Sequence, residues 1–157
     1  MEQHWLIIER FDNWDADRTN GFTFFGLPDR HRNAALEIKK GDKVYCYVSS
    51  KISAFSDIRI VLDAGLKKIN EDSFEDIYDR SFPYYFTTAP MLVLPREKWV
   101  PVKQLASLLE LTRGRTEASH RALFQTSIRK LSPGDAAVIS NVMRRAAEKG
   151  RSRKSHL

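Results

Sequence analysis

Ile38-Lys39-Lys40-Gly41-Asp42-Lys43-Val44-Tyr45-Cys46-Tyr47-Val48-Ser49-Ser50-Lys51 passes from the end of a helix into a strand. Upstream, residues 30–40 read as a short helix, because Ala34, Ala35 and Ile38 share a face and Gly41 stops it. The Gly41-Asp42 turn then enters a strand over residues 43–48. Working back to the N-terminus, Trp5-Leu6-Ile7-Ile8 is an apolar run without alternation, as a central strand shows. Between the two, Asn20-Gly21 and Gly26-Leu27-Pro28 punctuate a loop that holds Phe22, Phe24 and Phe25.

Downstream, a second strand is expected over residues 54–62, followed by an acidic loop or short helix carrying Glu71, Asp72, Glu75, Asp76 and Asp79. Residues 84–88 and 91–94 are strand candidates interrupted by Pro90, which suits an edge or a bulge. Residues 103–111 suggest a short helix, and residues 122–131 carry a final strand with period-two alternation. Ser132-Pro133-Gly134-Asp135 predicts a helix start: Ser at the N-cap, Pro at N1, and an acid at N3 that can reach back to the cap. That helix is expected to run to about Glu148 and end at Gly150. The sum is an α+β fold of five or six mainly non-parallel strands. Its helices are too few for a doubly wound sheet, so a small closed or half-closed barrel is favoured.

The 157 residues fit one domain over residues 1–148, followed by a basic tail at residues 149–157 that is expected to be disordered. Net charge is +6, but the last fourteen residues carry six Lys/Arg against Glu148 alone, so the body is close to neutral. Basicity therefore says little about the body, and the tail reads equally as a phosphate contact or a solvated end. There is no apolar run long enough to span a membrane and no secretory pattern at Met1-Glu2-Gln3-His4, so a cytoplasmic location is expected.

Catalytic signatures are missing. The chain has no GxGxxG, GxxxxGK[ST] or GxSxG, and His4, His31, His120 and His156 are scattered without metal-ligand spacing. Cys46, on an apolar strand, reads as a small buried hydrophobe. No enzyme, cofactor or metal site is expected. Aromatic residues are the positive signal. Trp5 reads as core, whereas Trp14 lies in the polar stretch Asp12-Asn13-Trp14-Asp15-Ala16-Asp17-Arg18 and reads as either a ligand-stacking or a surface-packing ring. Tyr84-Tyr85-Phe86 cannot place all three rings on one strand face. Exposed rings that stack a base contribute about 1–3 kcal/mol per base. Arg30 and Arg32 open a helix, where cations oppose the dipole, so a phosphate ligand would explain them.

Taken in order, Trp5-Leu6-Ile7, Asn13-Trp14, Arg30-His31-Arg32-Asn33, Lys39-Lys40-Gly41-Asp42-Lys43-Val44, Val48-Ser49, Phe82-Pro83-Tyr84 and Trp99-Val100-Pro101-Val102-Lys103-Gln104-Leu105 resemble the EVE domain of the PUA-like superfamily. Its relatives include the YTH and ASCH domains and the thymocyte nuclear protein. The likeness spans roughly residues 4–140. It implies a PUA-like pseudo-barrel of five or six mixed strands with surrounding short helices, and a pocket for a flipped, modified base such as methylated cytosine. It assigns base binding to Asn13, Trp14, Ser49, Ser50, Phe55 and Tyr84, and phosphate binding to Arg30 and Arg32, with DNA or RNA as partner. Where the family commonly has glycines, Asp57 and Arg59 stand, which would hinder close backbone approach. Tyr85 replaces a usual arginine, and Thr88-Ala89-Pro90 replaces the family's acidic triplet. Two other readings share the pocket: a nucleoside-like small-molecule binding protein or enzyme, and an interaction protein whose pocket is filled and whose Trp14 is buried.

Overall fold

A computed structural model describes residues 2–63, 67–68, 84–125 and 128–154. Six strands form one curled sheet in the order β2 (Phe24–Leu27), β6 (Tyr84–Val93), β4 (Ala54–Val61), β3 (Lys43–Val48), β1 (His4–Glu9), β8 (Ile128–Leu131). Two short strands flank this path: β5 (Lys67–Lys68) pairs with β6, and β7 (Val100–Pro101) with β4. Among the described residues only β1 and β3 pair in parallel, in the register Trp5↔Val44 and Ile7↔Cys46. Such a pairing needs a crossover, and here it carries α1 (Phe11–Thr19), β2 and α2 (Arg32–Glu37). The arrangement is a PUA-like pseudo-barrel.

Strand periodicity sorts the core into two layers. Trp5, Ile7, Val44, Cys46 and Val61 face inward with Phe25, Leu27 and Phe86, and α2 adds Ala35 below them. On the outer face, Leu6, Tyr45, Tyr47 and Ile58 pack against Ala136, Ile139 and Met143 of α4 (Pro133–Lys154). Cys46 is fully buried, and burial pushes its thiol pKa well up, as befits a small core residue.

Two irregularities curl the sheet. Cys46 pairs with Asp57 but Tyr47 with Phe55, which leaves Ser56 as an extra residue in β4. Ile58 pairs with Leu92 but Arg59 with Pro90, so Met91 is extra in β6. Bulges of this kind bend a strand and increase its twist. Pro90, which has no N–H to donate, sits at the second, and the strand continues through it.

The Gly41-Asp42 turn is fixed by its acid. Asp42 Oδ1 accepts from the Gln3 amide, and Oδ2 accepts from Gln3 Nε2, Trp5 Nε1 and the Lys39 amide. Gly41 supplies the left-handed φ of +91°. One buried carboxylate thereby ties the start of β3 to the start of β1.

Several local expectations are corrected. The polar stretch after β1 is helix α1, whose only buried side chains are Trp14 and Asp17, so it carries no apolar periodicity to read. The helix expected over residues 30–40 is a 3-10 turn (Asp29–His31) followed by α2, and Ile38 is already extended. Residues 103–111 hold a 3-10 turn (Val102–Gln104) and further turns, because Asp135 takes up the Glu110 and Leu111 amides at 2.7 and 3.1 Å. That use of Asp135 also replaces the expected reach back to the cap, although Ser132 Oγ does accept from the Asp135 amide. Residues 122–131 do not make one strand. Leu123 ends α3 (Glu117–Leu123), and both Leu123 and the adjacent Phe124 enter the outer core, which strand alternation forbids. The last helix runs past Gly150 to Lys154. The acidic stretch at residues 71–79 lies outside the described residues. Among those described, no helix is long and apolar enough to cross a membrane.

Candidate nucleic-acid interface

Strand directions divide the barrel into two ends. Strands β1 and β3 finish at the upper end, where β4 begins and α1 starts. At the lower end β3 begins, and the first residues of β6 meet the last of β2. The residues suggested by sequence fall on both.

At the upper end, the Ser49 amide and hydroxyl both donate to the Glu9 carbonyl, at 2.8 and 3.2 Å, which ties the end of β3 to the end of β1. Ser49 is half-buried and Ser50 exposed. Ser50 and Ser53 both adopt left-handed backbone, with φ of +67° and +48°, and Ser53 Oγ donates to the Ser50 carbonyl. Such conformations cost about 1–3 kcal/mol each for a non-glycine residue. Asn13 is half-buried on the first turn of α1. Trp14 is only 6% exposed. Its ring meets Trp99 edge-on at 4.7 Å, and Phe11 and Phe22 flank it at 5.8 and 5.9 Å. Among the described residues the ring open to solvent at this end is Phe11, 45% exposed and leaning on both tryptophans. Phe55 is fully buried, edge-on to Tyr47 and Phe124.

Beneath α1 lies a buried charge cluster. Arg59 donates through Nε to Asp57 Oδ2 at 2.6 Å and through Nη1 to Asp17 Oδ2 at 2.8 Å, and all three side chains are wholly buried. Trp14 Nε1 donates to Asp57 Oδ1 at 2.9 Å, and the Phe22 ring covers the guanidinium at 4.9 Å. Glu9 adds a third carboxyl, its Oε2 3.6 Å from Arg59 Nη2 and without a hydrogen-bond partner among the described residues. Burial first, then the charge of Asp17, push the Glu9 pKa well above the ordinary carboxylate range. Three carboxyl groups therefore gather around one guanidinium. Asp57 and Arg59 thus anchor α1 to the sheet.

Next to Ser50 a cleft of about 540 Å³ opens on the outer face. Its walls come from the 51–53 turn, the 101–106 segment and α3. Tyr47 and Phe124, 4.4 Å apart, form its floor, while Lys51, Lys103, Glu117 and His120 line it as polar groups.

At the lower end, the Tyr84 hydroxyl donates to Asp29 Oδ1 at 2.6 Å. That hydrogen bond raises the Tyr84 pKa, and Arg32 nearby pulls it back. Arg30 and Arg32 are both exposed, and burial and the Arg30 charge lower the His31 pKa. The structure therefore joins Tyr84, Arg30 and Arg32 in one group, separate from Asn13, Trp14, Ser49, Ser50 and Phe55.

Sequence reasoning passed over Phe11 and the cleft. Phe11 had a signal, a bulky apolar residue beside acids just past a strand. The cleft had none, because its lining comes from four separated segments.

Neither a protein-family model nor a curated protein sequence matches this chain. Solved structures do match, at the level of fold. The Pho92 YTH domain in complex with m6A aligns over 90% of this chain and 83% of its own, at a TM-score of 0.62 and 14% identity. Human THYN1 in complex with 5-methylcytosine-containing DNA aligns over 90% and 98%, at 0.57 and 14%. The YTH domain of Zygosaccharomyces rouxii MRB1 in complex with N6-methyladenosine RNA aligns over 90% and 86%, at 0.60 and 13%. The pseudo-barrel is thus the fold of these domains.

Proposed function

We propose that this chain is a nucleic-acid-binding module, without turnover, that reads a flipped and modified base at the upper end of its barrel. The observation that carries the reading is the fold, shared over about nine-tenths of the chain with domains in complex with methylated RNA or DNA bases. In this reading Asn13 bonds a base edge, and Ser49 and Ser50 offer hydroxyls at the rim. Phe11 supplies the exposed ring. Trp14 and Phe55 act one layer deeper, holding that rim in place. Tyr84, Arg30 and Arg32 engage the strand's phosphates at the far end.

Fluorescence anisotropy on short DNA and RNA oligonucleotides, with and without one methylated base and at two salt concentrations, tests this. Truncation of Trp14 is a poor probe, since removing a buried tryptophan costs about 3–5 kcal/mol of stability. Phe11→Ala and Asn13→Ala are better. The expected result is binding that weakens steeply with salt, favours the methylated strand and loses that preference in both variants. Salt-independent binding of a free nucleoside would point to the small-molecule reading. The buried Trp14 is also what a filled-pocket interaction protein has, and no binding of any oligonucleotide would favour that one.

A further inference from the structure

We propose that the cleft beside Ser50 is a second nucleotide subsite, which takes the nucleotide next to the base that is read. This rests on the reader function above and adds a place, a ligand class and a set of residues to it. A nucleotide combines a flat, largely apolar ring with an anionic group, and the cleft offers both complements.

The apolar part is the half-buried Ile52 and Val102, set over the buried rings of Tyr47 and Phe124 at the base of the cleft. Phe55 packs edge-on against both of these rings, so the base of the cleft is fixed. Cations stand at the mouth. Lys51 and Lys103 are exposed and form no ion pair among the described residues. Glu117 is the one carboxylate in the lining, so the cationic groups prevail. His120 commits Nε2 to the Thr112 carbonyl at 2.9 Å, which makes that nitrogen the donor and leaves Nδ1 to face other partners. A volume of about 540 Å³ lies within the usual range of small-ligand pockets, about 300–1,000 Å³.

Continuity with the rim favours a strand over a free ligand. Ser49 and Ser50 stand at the end of β3, and Lys51, Ile52 and Ser53 of the same turn line the cleft. Ser53 Oγ on the Ser50 carbonyl locks the two parts together. A strand whose base enters at the rim therefore meets the cleft with its neighbouring nucleotide.

The test compares wild type, Lys51→Ala/Lys103→Ala, and Arg144→Ala/Arg145→Ala on α4, which removes the same charge elsewhere. Each is titrated with a short methylated oligonucleotide, its unmethylated counterpart, adenosine monophosphate and inorganic phosphate, across a salt series. The cleft variant is expected to bind both oligonucleotides more weakly and to lower the salt slope by about one for each lysine that pairs with a phosphate. Its preference for the methylated strand is expected to stay at the wild-type ratio. A cleft variant that weakens no more than the Arg144/Arg145 control overturns the subsite. Wild-type binding of adenosine monophosphate or phosphate in the cleft without any oligonucleotide binding overturns its assignment to a strand. Failure of the reader function shows differently, as wild-type oligonucleotide binding with no methyl preference.

Discussion

Two of the buried carboxylate centres among the described residues are built in opposite ways. Asp42 is surrounded by neutral N–H donors and forms no ion pair among the described residues. Asp57 and Asp17 share one guanidinium, with the Glu9 carboxyl beside them. Asp42 works as a knot: it closes the lower end of the barrel by tying its own turn to Gln3 and Trp5 at the start of β1. Arg59 works as a clasp, drawing α1 onto strands β1 and β4 from more than forty residues away. The knot sits in a motif that sequence can read, while the clasp sits under the rim proposed to take the base. A centre held by amides tolerates loss of one bond. A centre held by one charge does not.

The largest effect is expected from Arg59→Leu, which leaves Asp57 and Asp17 buried without their cation. Breaking such a pair costs about 3–5 kcal/mol, read as a fall in the urea midpoint. Trp14→Phe keeps the ring packing but strips Asp57 of one donor, and about 1–3 kcal/mol should be lost. Asp42→Asn sharpens the contrast: it keeps the shape and an acceptor, so its loss should be smaller than that of Arg59→Leu. If the order of Arg59→Leu and Asp42→Asn reverses, the clasp is not the more fragile centre.

The clasp also predicts a pH dependence. Glu9 has a raised pKa in the folded chain, so folding favours its protonated form. Its contribution is fully present below the unfolded carboxylate pKa and is lost as pH rises through the folded value. Wild type should therefore lose stability over that window, and Glu9→Gln should flatten the loss. An identical pH profile in the two proteins would exclude Glu9 as the titrating group. The smallest effect is expected from Ser50→Gly, which relieves the left-handed backbone at φ +67° and should raise stability by less than about 1 kcal/mol.

The contrast also explains what was legible. Strand β3, its entry turn and the Ser132 cap were readable because their signals are local: a glycine at positive φ, a run of apolar residues, a hydroxyl beside a proline. Helix α1 was not, because its inward stripe is one tryptophan and one aspartate, the latter held by Arg59 far along the chain. The final strand was read too long because Leu123, Gln125 and Ser127 mimic alternation, while Leu123 and Phe124 in fact turn the same way into the outer core. Of the residues suggested for the ligand, Asn13, Ser49 and Ser50 meet at one end. Tyr84, Arg30 and Arg32 meet at the other, a separation that only the strand directions reveal.

The most direct test of the central claim is a backbone and indole NMR titration of the intact chain with a short methylated oligonucleotide and its unmethylated twin. The account predicts larger shifts with the methylated strand at Phe11, Asn13, Ser49 and Ser50, with the Trp14 indole N–H still bonded to Asp57. Equal shifts for the two strands, or shifts confined to the basic end of α4, would contradict it.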